Sequence, residues 1–207
     1  AMGLNASAAS ETVRRLLETG LLRREGLQPS GGGRPREIVR VNPDAACAVG
    51  VHLGMRSVRA LLTDASGAPL SEQAGGPAGS KPSDMIEAIA SAVSGLLRQR
   101  DDRPLAGVGI GVSGVLRPEG RLTREFPHGE RWQEVPLANE IERRCGTRPL
   151  LLNDVHAAAL AELRLGHWPD VRNLVLLHLG DGIAVGLVLD GRLYRGATGN
   201  AGQVGHN

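Results

Sequence analysis

The sequence predicts an α/β fold that follows a smaller unit made of one helix and one hairpin. After residue 43, short runs of Val and Leu alternate with longer amphipathic segments, which is typical of α/β proteins. The Asn42-Pro43 pair favours a turn and marks a boundary between the two units. Before this boundary, apolar residues recur at helical spacing and an arginine-rich segment full of glycine and proline follows them.

The smaller unit is predicted to begin with a helix over residues 5–19. Asn5 is a good N-cap, Gly20 is placed to end the helix, and four apolar residues form one stripe along it. Leu21 and Leu22 then begin a short strand, residues 23–26 turn it, and a returning strand passes through Ile38. The order of helix, strand, flexible basic turn and strand predicts part of a winged helix-turn-helix domain. The apolar stripe consists of Ala9, Val13, Leu16 and Leu17.

The larger unit is predicted to contain three strands, then alternating helices and strands, then a hairpin that restarts the pattern. A meander that feeds βα units and begins again indicates two related lobes, the architecture of the actin-like, hexokinase-type (ribonuclease H-like) ATPases. Residues 74–82, rich in Gly, Pro and Ser, are predicted to form a surface loop. The predicted strands lie at 48–53, 58–63, 108–112, 150–152, 174–179 and 183–189, and the predicted helices at 85–97, 136–145 and 155–165.

Composition narrows the class of protein. The net charge of +2 does not by itself indicate a nucleic-acid partner, but seven arginines crowd the first forty residues, and such clustering favours phosphate binding. Two cysteines without C-x-x-C spacing fit a reduced, cytoplasmic compartment. The sequence contains no apolar run of about 18 residues and no signal-peptide pattern, so we expect no membrane partner.

Five segments, in order, resemble the ROK (repressor, open reading frame, kinase) family. The first two are similar to the recognition helix and wing of ROK regulators and to the joint with the sugar-kinase fold. The others are similar to the glycine-rich strand at the sugar site, to the E-N-D motif, and to the second phosphate hairpin with the G-E-x-G-H motif. These segments are GLNASAASETVRRLLETGLLRREG, SGGGRPREIVRVNPDAACAVGVHLG, GVGIGVSGVL, LLNDVHAAALAE and HLGDGIAVGLVLDGRLYRGATGNAGQVGH.

The resemblance implies two domains. Residues 1–42 match part of a winged-helix DNA-binding domain, whose first helices would precede Met2. Residues 43–207 match the first lobe of the ROK sugar-kinase-like domain and the start of the second lobe. The family's cysteine-rich zinc loop and the rest of the second lobe would follow Asn207.

The DNA-binding interpretation assigns roles to the polar face of the first helix. Recognition helices place their N-terminal residues near base edges, where Asn pairs with adenine and Arg with guanine. Ser10 and Arg15 are better suited to phosphate. Arg34, held between Gly33 and Pro35, suits a narrow minor groove. The alternative is a solvated helix face and a flexible linker. The predicted DNA-binding residues are Asn5, Ser7, Ser10, Arg14, Arg15 and Arg34.

The resemblance also identifies two nucleotide-phosphate turns that depart from the kinase pattern. The kinases read D-x-G-G-T at the first turn, where this chain has HLGMR, so His52 replaces the carboxylate and Met55 a glycine. A neutral imidazole is a poor ligand for Mg²⁺. The second turn reads G-T-G in the kinases and GDG here, which places Asp181 against would-be phosphates. We therefore expect that the protein does not bind ATP and is not an enzyme.

The sugar site, by resemblance, includes Gly114, Asn153 and Asp154. In the kinases this Asp is the general base, and here it would be a vestigial base that contacts sugar hydroxyls; the alternative is a helix N-cap. Gln203 replaces the Glu of G-E-x-G-H and keeps hydrogen-bonding capacity without charge. His206 would contact the sugar and help hold a structural zinc together with later cysteines. No Asn precedes Trp132, where the family's sugar loop usually has one.

The preferred hypothesis is a transcriptional regulator, a repressor, in which a sugar or sugar derivative alters the affinity for operator DNA. Paired operator half-sites imply a homodimer or homotetramer. Two alternatives stay open: an active ROK sugar kinase, and a DNA binder that has lost sugar sensing. Asp154 favours the kinase, and Gln203 leaves room for the sugar-blind protein.

Overall fold

The structure is a computed structural model that describes residues 5–29, 35–55, 57–77, 81–117, 119–125, 131–168, 170–180 and 182–206. Within these residues the chain forms a helix with a two-stranded hairpin, a five-stranded mixed sheet with helices packed against it, and two three-stranded sheets. The α/β class predicted from the sequence is confirmed.

The first unit contains helix α1 (Ala6–Glu18) and the antiparallel strands β1 (Leu22–Gln28) and β2 (Arg36–Val41). The Asn5 side chain accepts a hydrogen bond from the Ala8 N–H at 2.8 Å, so the predicted N-cap is correct. The predicted turn at residues 23–26 is wrong. The strand continues through Gly26, where a bulge absorbs the irregularity and the pairing with β2 resumes.

The five-stranded sheet has the order β10-β6-β3-β4-β5, and β3, β6 and β10 run parallel to one another. Side chains of β3 alternate between buried and less buried positions, as the period of a strand dictates. The loop predicted at 74–82 is corrected in part, because β5 stays paired with β4 as far as Pro77. The strands are β3 (Cys47–Leu53), β4 (Ser57–Asp64), β5 (Pro69–Pro77), β6 (Leu105–Val112) and β10 (Leu150–Asn153).

Two helices pack against this sheet, and a third helix packs on one of them. Helix α2 (Pro82–Gln99) buries an apolar face against the sheet, and α3 (Leu137–Cys145) packs on α2. Helix α4 (Asp154–Leu165) lies between β6 and β10 on one side and the second three-stranded sheet on the other. The fully buried residues of α2 are Met85, Ile89, Ala92, Val93 and Leu96.

The two three-stranded sheets complete the fold. One contains β7 (Val115–Leu116), β8 (Leu122–Glu125) and β9 (Arg131–Val135), and the sequence had not predicted these short strands. The other contains β11 (Leu174–Leu179), β12 (Ile183–Leu189) and β13 (Arg192–Tyr194). No helix in the described ranges has both the length and the apolar character needed to cross a membrane.

Candidate functional site

The parallel strands bring three sequence motifs together at one edge of the sheet. His52 on β3 is level with Gly111 on β6, and Gly111 is level with Leu152 on β10. The residues that follow these positions therefore emerge side by side, as expected at the carboxyl ends of parallel strands. Ser113 and Asp154 meet there, and the Ser113 N–H donates to the Leu53 carbonyl at 3.1 Å.

Asp154 is the centre of this cluster. Its Oδ2 accepts a hydrogen bond from the Ser113 hydroxyl and lies 3.6 Å from His52 Nε2. Its Oδ1 accepts from the Val155 N–H at 2.9 Å. Burial would raise the pKa of Asp154, but the hydrogen bonds from His52, Ser113 and Val155 together outweigh it and hold the pKa below its usual value. The carboxylate therefore stays ionised and well supplied with donors.

Asn153, not Asp154, caps helix α4. The Asn153 Oδ1 accepts from the N–H groups of Val155 and His156 at 3.1 and 3.3 Å, which is the usual geometry of an N-cap. Its Nδ2 donates to the Gly114 carbonyl at 3.5 Å. The N-cap alternative considered for Asp154 is therefore wrong, and Asp154 as the first residue of the helix turns its carboxylate towards His52 and Ser113.

Gly114 can only be glycine in this conformation. Its φ is +135°, and an added Cβ would lie 2.8 Å from the Thr123 carbonyl oxygen. The backbone of the β6–β7 turn thus passes close to β8 directly beside the Asn153 amide. The turn brings the peptide of Gly114 next to the Asp154 cluster without a side chain in between.

The segment that carries Gln203 is anchored from two sides. His156, which is buried in α4, donates from Nε2 to the Ala201 carbonyl at 2.7 Å. The Val185 N–H donates to the Gly202 carbonyl at 2.8 Å, and an added Cβ on Gly202 would lie 1.8 Å from the Val185 oxygen. Gln203 is half-buried on the same segment. The His206 backbone lies in a short 3-10 turn, and its side chain is outside the described residues.

The first phosphate turn is occupied by side chains. The buried Arg124 donates from Nη2 to the Gly54 carbonyl at 3.2 Å and lies 2.9 Å from Met55 Sδ. Its guanidinium stacks 5.2 Å from the ring centroid of Trp132. Burial lowers the pKa of Arg124 to about 10, and the Asp154 carboxylate opposes that shift. With Met55 packed against the core and His52 turned to Asp154, these residues do not fit a Mg²⁺–phosphate group.

The second phosphate turn joins β11 to β12. The Gly180 N–H donates to the Gly182 carbonyl at 3.0 Å, while Asp181, predicted to oppose phosphate, lies outside the described residues. The His178 ring fills the space beside Gly180, since an added Cβ there would lie 2.6 Å from Nε2. Among the residues that the structure describes, no three His, Cys, Asp or Glu side chains come close enough together to hold a metal ion.

The predicted DNA-binding residues of α1 share its exposed side. The Asn5 side chain serves as the N-cap of the helix, and the Ser10 hydroxyl donates to the Ala6 carbonyl at 2.9 Å. Arg14 forms ion pairs of 2.6 Å with both Glu11 and Glu18. Ser7 and Arg15 are exposed, and Arg34 lies outside the described residues.

An open apolar cleft of about 590 Å³ lies between the first unit and the sheet. Leu16 and Val41 line one side, and Cys47 and Thr63 line the other. Cys47 and His52 are five residues apart on β3, about 16 Å at the rise of a strand, so this cleft is separate from the Asp154 cluster.

Sequence reasoning missed several residues of the site. Ser113, Arg124, His156 and Asn200 had not been singled out, yet each hydrogen-bonds to a motif residue or to the backbone beside one. Their partners lie 41 to 84 positions away in the sequence. A signal existed only for Ser113, which directly follows a predicted strand.

Comparison with known proteins places the chain in a family. The model of the ROK family matches residues 48–207. The xylose repressor of Caldicellulosiruptor bescii is 29% identical over 206 residues, covering 98% of this chain and 51% of the repressor. The solved structure of a ROK family transcriptional regulator, a homologue of the Escherichia coli MLC protein, superimposes with a TM-score of 0.76 and 25% identity. That match covers 99% of this chain and 52% of the regulator.

A kinase is also among the similar structures. The ROK family glucokinase from Streptomyces griseus, solved with glucose and AMPPNP, has a TM-score of 0.69 and 29% identity. The aligned region covers 78% of this chain and 50% of the kinase. The chain therefore spans about half the length of the proteins it matches. The sequence motifs, the actin-like α/β fold and the matched span agree: the chain belongs to the ROK family.

Proposed function

We propose that the protein is a sugar-responsive DNA-binding transcriptional regulator, a repressor, whose kinase-like domain binds a sugar or sugar derivative without phosphorylating it. The observation that carries this proposal is the environment of Asp154. A general base must accept a proton from a sugar hydroxyl. Here the Ser113 hydroxyl donates to Oδ2, His52 Nε2 lies 3.6 Å from the same oxygen, and the lowered pKa makes the carboxylate a weaker base.

The filled phosphate turn supports the same proposal. Phosphoryl transfer depends on Mg²⁺ and backbone N–H groups that hold the transferred phosphate. In this chain Met55 and Arg124 occupy the turn after β3, and His52 stands at the carboxylate position. The kinase alternative rests on the retained Asp154 and on the similarity to the Streptomyces griseus glucokinase.

The extent of the similarity supports the regulatory half of the proposal. The kinase structure covers 78% of the chain, whereas the repressor and the solved regulator cover 98% and 99% and so include the first unit. We assign residues 1–42 to a partial winged helix-turn-helix domain and residues 43–207 to the sugar-kinase-like domain. The exposed Ser7 and Arg15 of α1 would face operator DNA, with Asn5, Ser10, Arg14 and Arg34 nearby.

The proposed ligand site consists of Gly114, Asn153, Asp154 and Gln203, with His206 beside them. The Asn153 side-chain oxygen already accepts the two hydrogen bonds of the helix N-cap. Asp154 and Gln203 therefore supply the polar groups that face a sugar. We propose a cytoplasmic homodimer or homotetramer as the working form, with paired half-sites on the operator. By the same resemblance, we propose that His206 helps to hold a structural zinc together with the family's later cysteines.

The test is operator binding by the full-length protein, measured by fluorescence anisotropy on the DNA upstream of its own gene. We expect tight binding that weakens when xylose, glucose or N-acetylglucosamine is added. Asp154→Ala should keep DNA binding and lose the response to sugar, while Asp102→Ala, in the exposed loop between α2 and β6, serves as the matched control. ATP-dependent phosphorylation of any of these sugars would contradict the proposal.

A further inference from the structure

Asn200 forms a connection across the fold that the ligand site does not explain. Its Oδ1 accepts from the Leu116 N–H at 3.0 Å, and its Nδ2 donates to the Leu116 carbonyl, also at 3.0 Å. The same Nδ2 donates to the Thr198 carbonyl at 2.9 Å. A single half-buried amide therefore uses both of its polar atoms on backbone 84 residues away.

The partner of Asn200 is the free edge of a strand. In an antiparallel strand, the N–H and C=O groups of one residue point to the same side, and those of the next residue point to the opposite side. Arg117 pairs with the Arg121 carbonyl at 2.9 Å, so Leu116 turns its polar groups the other way, towards Asn200. The Asn200 amide thus acts as one more strand residue beside β7. The Leu116 side chain is buried in the core, so this edge is firmly held.

Both ends of this connection lie next to proposed ligand residues. Leu116 comes two residues after Gly114 and three after Ser113, and Asn200 comes three before Gln203. On the other side, His156 and Val185 hold Ala201 and Gly202 against α4 and β12. The segment with Gln203 is therefore held to α4 by His156, to β12 by Val185 and to β7 by Asn200.

We propose that Asn200 is a positioning residue that sets the distance between Gln203 and the Asp154 cluster and so couples the two halves of the sugar site. The identity of the ligand as a sugar rests on the proposed function. The hydrogen bonds between Asn200 and Leu116 do not depend on it. A ligand that bridges Gln203 and Asp154 binds well only when both are held in register, so loss of the Asn200 bonds weakens binding without removing any ligand contact.

The experiment compares Asn200→Ala with Asn173→Ala in the full-length protein. Asn173 is a matched control, because its Oδ1 also accepts a backbone hydrogen bond, from Asp190 at 2.9 Å, at a turn away from the cluster. Titrations with xylose, glucose and N-acetylglucosamine give the affinities. We expect Asn200→Ala to weaken binding by about tenfold or more and Asn173→Ala by less than about twofold, because the first variant loses the two hydrogen bonds to Leu116 and the second loses one remote bond.

Amide hydrogen exchange without ligand tests the connection independently. In Asn200→Ala, exchange should rise by about tenfold or more at residues 113–116 and also at residues 201–204, because local opening frees both sides together. Exchange that rises only at Leu116, or equal losses of affinity in the two variants, would overturn the proposal. If no sugar binds the wild-type protein, the proposed function fails, and the exchange pattern still decides the role of Asn200.

Discussion

The tightest backbone contact near the site predicts the effect of replacing Gly202 by alanine. An added Cβ would lie 1.8 Å from the Val185 carbonyl oxygen, far inside the distance that carbon and oxygen tolerate. Gly202 also has a φ of +88°, which costs an L-residue about 1–2 kcal/mol. The segment must therefore move, and the hydrogen bond from the Val185 N–H to the Gly202 carbonyl breaks.

The size of the effect follows from these parts. The left-handed conformation costs about 1–2 kcal/mol, and a lost backbone hydrogen bond costs about 1 kcal/mol. The displaced segment carries Gln203, so the sugar site loses a polar group as well. We expect Gly202→Ala to lower the free energy of unfolding by about 2–3 kcal/mol and to weaken sugar binding at least about tenfold.

Gly199 in the same segment provides the control. Its φ is +80°, but an added Cβ would meet only the Arg195 guanidinium at 3.8 Å, an ordinary contact. Gly199→Ala should therefore show the conformational cost alone, about 1–2 kcal/mol. Urea unfolding of both variants and sugar titration measure the difference. Equal losses in the two variants would refute the close packing of Gly202 against β12.

Three further predictions concern the core, the carboxylate and the DNA-facing helix. Ile89→Ala, at a fully buried position of α2, should cost about 2–5 kcal/mol in urea unfolding. Folding lowers the pKa of Asp154, so the ionised carboxylate stabilises the fold fully above the unfolded pKa. This stabilisation is lost as the pH falls through the folded pKa. The difference in free energy of unfolding between wild type and Asp154→Asn should therefore shrink below about pH 4. Arg15→Ala should weaken DNA binding on all sequences alike and reduce the salt slope by about one in anisotropy titrations.

Much of the fold could be predicted because apolar periodicity reports burial directly. The alternation along β3 and the apolar face of α2 both appear as patterns in the sequence. The strands β7 and β8 escaped prediction because two and four residues are too few to show a period. The prediction of a turn at residues 23–26 failed because a glycine bulge and a chain reversal have the same local composition.

The candidate site was predictable only where a motif carried it. Asn153 and Asp154 follow a strand and precede a helix, so their position at the sheet edge followed from topology. Arg124 instead gains its role from Gly54, Met55 and Trp132, which tertiary packing brings to it. No local pattern distinguishes such an arginine from a solvated one. The cap assignment likewise depended on which of two adjacent side chains turned towards the helix.

The most direct test of the account is the thermal stability of the full-length protein with a panel of hexoses, pentoses and amino sugars, each with and without Mg-ATP. A ligand that binds only the folded state raises the melting temperature by mass action. The account predicts that one sugar stabilises the protein and that Mg-ATP adds nothing, because Met55, Arg124 and His52 occupy the phosphate turn. Stabilisation by Mg-ATP itself, or consumption of the sugar, would contradict it.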